Sequence, residues 1–247
     1  MNYKEFGPAG AQTVVLLHGG GLSWWNYRDA AALLSGEYRV ILPILDGHSG
    51  SDRSFTSIED NADGIIAFID ECLGGAVALI GGLSLGGQVA LEILARRPEI
   101  CRCALIESAM AIPARITHAL VGPTFGASYG LIRSEGFARL QFRSLHMKPA
   151  LFDDYYRDTC AIGRADMIAF MRASTGYALP ETLGRCRAEV RIFAGGRETR
   201  GILRSARAVE AAIPGARAEI LPGLYHGEFS MAFPERYAAA IRSLIQE

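Results

Sequence analysis

The residues of this chain that could do covalent chemistry are a serine between two glycines, a histidine in a glycine-flanked loop, and carboxylates at the ends of apolar runs. Gly82-Leu83-Ser84-Leu85-Gly86 fits the pattern G-x-S-x-G. The apolar run Ala76–Ile80 precedes it, and a helical pattern follows in which Val89, Ile93 and Leu94 share one face, before Arg96, Arg97 and Pro98 mark the stop. A sharp turn between strand and helix holds a hydroxyl at the strand end beside the first free N–H groups of the helix. The flanking glycines let the backbone pass close by without a Cβ clash. That is the position of a nucleophile.

A serine hydroxyl attacks effectively only when a base takes its proton. The chain has five histidines. His18 belongs to the glycine loop His18-Gly19-Gly20-Gly21, and His48 to the turn Asp46-Gly47-His48-Ser49-Gly50-Ser51-Asp52. His118 and His146 have no loop signature around them. His226, in Gly223-Leu224-Tyr225-His226-Gly227, follows the last strand and shares the strand-end face with Ser84, where open parallel sheets bind ligands. It is the best base. The base needs a carboxylate to hold its tautomer. Glu198 and Glu107 both end strands on this face and keep the chain order serine, acid, histidine; Glu198 is favoured and Glu107 is the alternative. The three glycines after His18 suit a loop whose N–H groups turn toward negative charge. Trp24 and Trp25 follow at once, as walls of a substrate pocket or as cover for the sheet edge.

Buried-strand runs recur at Thr13–Leu17 and Arg39–Leu45, and further strands are read at Cys103–Ile106, Glu189–Ala194 and Arg217–Leu221. Thr56 and Glu59 read as a capping box opening a helix that Gly74 ends, Ile202, Ala206, Val209 and Ile213 as the inner face of another, and Met231–Ile245 as a final one. The alternation implies an α/β fold, a mostly parallel central sheet with helices on both faces. It breaks from about Ile112 to Leu183, where prolines punctuate helical pieces rich in aromatic residues. The reading is a core of residues 1–111 and 184–247 with a helical lid inserted at 112–183.

Taken together, the HGGG loop, the DGHSGSD turn, GLSLGG and the terminal GLYHGEFS resemble the α/β-hydrolase superfamily, of the compact lid-bearing serine esterase and C–C hydrolase kind. The resemblance runs in order through nearly the whole chain except the insertion. It implies Ser84 as nucleophile, His226 as general base, and an oxyanion hole from the N–H groups of Leu85 and Gly20, with Gly21 as the alternative to Gly20. The acid position after the penultimate strand more often holds Asp in that family; here it holds Glu198.

The 247 residues are half hydrophobic and 21% charged, enough for one large core and against disorder. A formal net charge of −1 argues against nucleic acid as a partner, no run is long enough to span a membrane, and five cysteines without zinc spacing suit a reducing cytoplasm. Neither a P-loop nor a dinucleotide fingerprint is present, and His18, Asp46, His48 and Asp52 lack metal-ligand spacing. The expectation is a cofactor-independent, metal-free serine hydrolase cleaving an ester or related acyl bond of a small, largely apolar substrate, with homo-oligomerisation left open. The same triad serves C–C hydrolases, lactonases and acyltransferases, and the same fold serves non-catalytic receptors of small ligands.

Overall fold

The computed structural model describes residues 1–246, with side chains for all of these except 126–128. In chain order the elements are β1 (Tyr3–Phe6), β2 (Thr13–Leu17), α1 (Arg28–Leu34), β3 (Arg39–Pro43), α2 (Ile58–Cys72), β4 (Val77–Leu83), α3 (Leu85–Arg96) and β5 (Cys101–Glu107). Then come α4 (Arg115–Ser128), α5 (Glu135–Ser144), α6 (Phe152–Ala161) and α7 (Arg164–Gly176), followed by β6 (Glu189–Gly195), α8 (Arg200–Ala212), β7 (Arg217–Leu221), α9 (Glu228–Ala232) and α10 (Pro234–Gln246). The seven strands lie in the order β1-β3-β2-β4-β5-β6-β7, and only β1 runs antiparallel to its neighbour.

The central strands are apolar on both faces because both faces are covered. Val15 and Leu17 of β2 pack with Ile65 of α2, Val89 of α3 and Ile202 of α8. Val14 and Leu16 of the same strand face the other way, into a cluster with Ala30 and Leu34 of α1 and Ile241 of α10. All seven residues of β4 are buried, which puts Ser84 at the end of a strand near the middle of the sheet.

Several local expectations give way to the structure. β1 has no apolar run: Tyr3, Lys4 and Glu5 are exposed, and the strand exists by pairing with β3. α1 is a short helix missed in the sequence. The cap of α2 is Ser57, whose hydroxyl accepts from Asp60 N–H at 3.0 Å, so the box begins one residue later than Thr56. Pro123 does not punctuate but lies inside α4. The final helix is two, because Pro234 has no N–H to continue α9 and instead opens α10. No helix among the described residues is long and apolar enough to cross a membrane.

Candidate active site

Ser84 stands between β4 and α3 with φ 51° and ψ −111°, a left-handed backbone that a residue with a Cβ adopts only under constraint. The constraint is visible on both sides. A Cβ on Gly86 would run into the carbonyl of Leu17 and stand 2.6 Å from the His18 oxygen, and one on Gly82 would run into the Gly86 carbonyl. Ser84 N–H donates to Glu107 O of β5 at 2.8 Å, which pins the turn to the neighbouring strand.

His226 follows β7, and its Nδ1 lies 2.7 Å from Glu198 Oε2. The other oxygen, Oε1, accepts from Ser108 Oγ at 2.7 Å and Gly195 N–H at 2.7 Å. Burial pushes the Glu198 carboxyl up, but the hydrogen bond and charge of His226, with the Ser108 and Gly195 donors, more than reverse this and hold it below the ordinary glutamate range. An ionised carboxylate on Nδ1 fixes that nitrogen as the donor and leaves Nε2 to face the cavity.

Glu107 does not reach His226. Glu107 is 1% exposed and its Oε1 accepts from Ser230 N–H at 3.2 Å, while Oε2 has no partner among the described residues. The register brings Glu107 opposite Phe193, and its side chain points toward α9 instead of the histidine loop. Burial pushes this carboxyl up to about 7, the Ser230 donors opposing. Since the folded value exceeds the ordinary 4.5, the stabilising contribution is fully present below pH 4.5 and is lost as pH rises through about 7. Melting wild type and Glu107→Gln between pH 5 and 8 therefore shows wild type losing on the order of 2 kcal/mol more than the variant. Parallel pH dependences would mean that Glu107 is charged at pH 5 already.

The glycine loop is held by its neighbours so that one N–H stays free. Gly19 N–H donates to Asn26 Oδ1 at 3.1 Å and Gly21 N–H to His48 Nε2 at 3.1 Å. Gly21 is therefore engaged and cannot serve as the alternative donor. Gly20 N–H has no partner among the described residues, and a Cβ on Gly20 would lie 3.6 Å from Leu85 Cβ. Leu85, the first residue of α3, leaves its own N–H unbonded within the helix. His18 and His48 are structural. Burial drives His18 down to about 3 and His48 to about 4, so both are neutral. His18 Nε2 accepts from Leu45 N–H at 3.1 Å, and His48 Nδ1 lies 3.0 Å from Asp46 O. These ties explain why a glycine loop and an Asp-Gly-His turn occur in one chain: the second aims the first.

Ser84, His226, Gly20 and Leu85 open into one cavity of about 400 Å³. Its remaining lining is largely apolar, with Met110, Ile132, Met167 and Phe170 among it, and no Asp, Glu, Lys or Arg of the described residues borders it. Helices α4 to α7, between β5 and β6, supply much of this lining. Hydrogen bonds fasten this region to α3 and to the loop before α2. Gln88 Nε2 of α3 donates to Met110 O at 2.7 Å and Ser174 O at 2.9 Å, and Asp166 Oδ1 accepts from Phe55 N–H at 2.9 Å. Trp24 and Trp25 do not line the cavity. Trp25 is 1% exposed and gives its indole N–H to Asp158 Oδ2 of α6 at 2.8 Å. Trp24 packs against Phe6, near the sheet edge. The indole N–H must be satisfied when buried, and the carboxylate that meets it comes from 133 positions away. Sequence reasoning also missed Ser108 and the stack of His146 on Tyr225 beside His226, with ring centroids 3.6 Å apart; nothing local to either residue signals it.

A sheet of this order with a strained Ser84 turn and a carboxylate-bound histidine defines the α/β-hydrolase class. The model of the alpha/beta hydrolase family matches residues 14–240, and the chain belongs to that family. It is 28% identical over 264 aligned residues to a pimeloyl-[acyl-carrier protein] methyl ester esterase of Neisseria meningitidis serogroup B, covering 97% of this chain and 95% of that protein. It is 31% identical over 142 residues to an AB hydrolase superfamily protein of Gibberella zeae, a match spanning 57% of this chain and 49% of that protein. Among solved structures it resembles a thermophilic esterase from Thermogutta terrifontis, with TM-score 0.81, 19% identity and 99% and 92% of the two chains covered. An enol-lactonase from Burkholderia xenovorans gives TM-score 0.81 at 16% identity, covering 100% and 96%. The α/β-hydrolase fold and an esterase-like kinship are thus established.

Proposed function

We propose that this protein is a serine hydrolase that cleaves an ester or related acyl bond through an acyl-enzyme, with Ser84 as nucleophile, His226 as base and Glu198 as acid. The observation that carries this reading is the 2.7 Å contact between His226 Nδ1 and Glu198 Oε2, in a chamber that His226 shares with Ser84. Ser84 Oγ attacks the carbonyl carbon while His226 Nε2 takes its proton. The carbonyl oxygen becomes an oxyanion and accepts from the N–H groups of Gly20 and Leu85. Collapse expels the alcohol, which takes the proton from His226; water then repeats the sequence and frees the acid and Ser84. Glu198 stays ionised throughout and stabilises the imidazolium.

The uncharged lining favours an acyl group without charge, because a carboxylate or ammonium would lose its hydration with no counter-charge to meet it. The kinship with a pimeloyl-[acyl-carrier protein] methyl ester esterase supports an ester as the bond cleaved. Helices α4 to α7 act as the lid that keeps water from this chamber.

A fluorophosphonate tests the reading without knowledge of the substrate. Intact mass and peptide mapping should show one adduct, on Ser84, and the adduct should disappear in His226→Ala at the same exposure time. Well-folded protein that takes up no probe, or takes it up elsewhere, overturns the assignment.

A further inference from the structure

The end of β5 meets the Ser84 turn, the Glu198 loop and the His226 loop. Glu107 O receives the Ser84 N–H at 2.8 Å, and the next residue, Ser108, spans the other two loops. Ser108 is 2% exposed and has φ 54°, the left-handed region that a serine enters only when held there. Its own N–H donates to Phe193 O of β6 at 2.8 Å. Its hydroxyl donates to Glu198 Oε1 at 2.7 Å and accepts from Gly227 N–H, the residue after His226, at 3.3 Å. One buried oxygen thus joins the acid to the histidine loop.

A glutamate at this position has a reason to need such a tether. Its side chain turns about one more bond than aspartate, so more rotamers compete with the one that meets His226. Gly195 N–H and Ser108 Oγ both bind Oε1, and that leaves Oε2 aimed at Nδ1. We propose that Ser108 is a positioning residue of the reaction: its hydroxyl locks the Glu198 rotamer against the His226 ring, and so allows a glutamate to serve as the acid. The inference rests on the Ser84–His226–Glu198 assignment and adds a fourth residue to it.

The backbone at Ser108 supplies a clean variant. Ser108→Gly removes the hydroxyl and relieves the left-handed strain at once, so it keeps the fold where Ser108→Ala keeps the strain. The experiment measures the second-order rate of Ser84 labelling by a fluorophosphonate, with kcat and KM on p-nitrophenyl butyrate alongside. Both variants should label about ten- to a hundredfold more slowly, the usual consequence of losing the partner that orients a functional group. The loss should fall on kcat and leave KM near its wild-type value, whereas a repacked pocket would move KM. In a Glu198→Ala background, adding Ser108→Gly should change the labelling rate by no more than about twofold, since the hydroxyl acts through Glu198. Labelling at the wild-type rate in both Ser108 variants overturns the inference, and so does a loss that persists undiminished in the Glu198→Ala background. If Glu198→Ala itself labels at the wild-type rate, the acid assignment is what has failed, and the Ser108 inference falls with it.

Discussion

Ser84→Ala should lower kcat on any ester the protein hydrolyses by about 10⁵-fold or more, as loss of the nucleophile does in other serine triads. That factor corresponds to roughly 7 kcal/mol of transition-state stabilisation. It is large because, in the proposed mechanism, the serine, the base and the acid act as a unit. Without Oγ the acyl-enzyme cannot form, and His226 and Glu198 have no proton to move. Binding should persist, since the chamber is shaped by residues the change does not touch, so KM or inhibitor affinity should stay near wild type. The left-handed φ of 51° is as awkward for alanine as for serine, so the melting temperature should barely move. Steady-state kinetics on a p-nitrophenyl ester series, with thermal melting as control, provides the check. A variant that keeps more than about one hundredth of the wild-type kcat would show that another group attacks the substrate.

The second large effect is on folding. Gly86→Ala adds one methyl group where the start of α3 presses on the end of β2. That methyl would overlap the Leu17 carbonyl and approach the His18 carbonyl oxygen to 2.6 Å. Both are backbone atoms at the buried end of β2, so neither can swing aside as a side-chain tip would. The destabilisation should reach at least about 3 kcal/mol, the upper end for overpacking. In a chain of this size that lowers the melting temperature by roughly 6–12 °C. Gly136→Ala in α5 is the matched control. Nothing lies within 4 Å of the methyl it would add, and the change should be neutral or stabilising by up to about 1 kcal/mol. Equal melting temperatures for the two variants would show that α3 can retreat from β2, and the elbow would not be as rigid as its contacts require.

The same crowding links stability to chemistry. Gly82 and Gly86 let α3 approach the sheet, with Ser84 held in the left-handed region and Leu85 beside Gly20. A looser turn would move both the proposed oxyanion donors and the proposed nucleophile.

The sequence alone determined the central strands of the sheet, because strands buried on both faces must be written as continuous apolar runs. Thr13–Leu17 has the ends that its run predicts, and all but its first residue are buried. It likewise determined that Ser84 and His226 share a face, since both follow strands of a parallel sheet and such a sheet has one carboxyl end. β1 was beyond its reach: a strand exposed along most of its length carries no periodic signal, and its hydrogen bonds come from β3. The carboxylate was undecided for a related reason. Glu107 and Glu198 both end strands on the correct side, and which one meets His226 depends on where each side chain points, which is a matter of register and loop path. Tryptophans beside a glycine loop could have walled the pocket, but a buried indole N–H needs an acceptor, and only the folded chain reveals that Asp158 supplies it. Ser108 is the extreme case. A lone serine after a strand announces nothing, and its link between Glu198 and Gly227 joins segments 90 and 119 residues away. Local pattern sets which elements form, while contacts between distant segments set which side chains meet, and for those the tertiary structure decides.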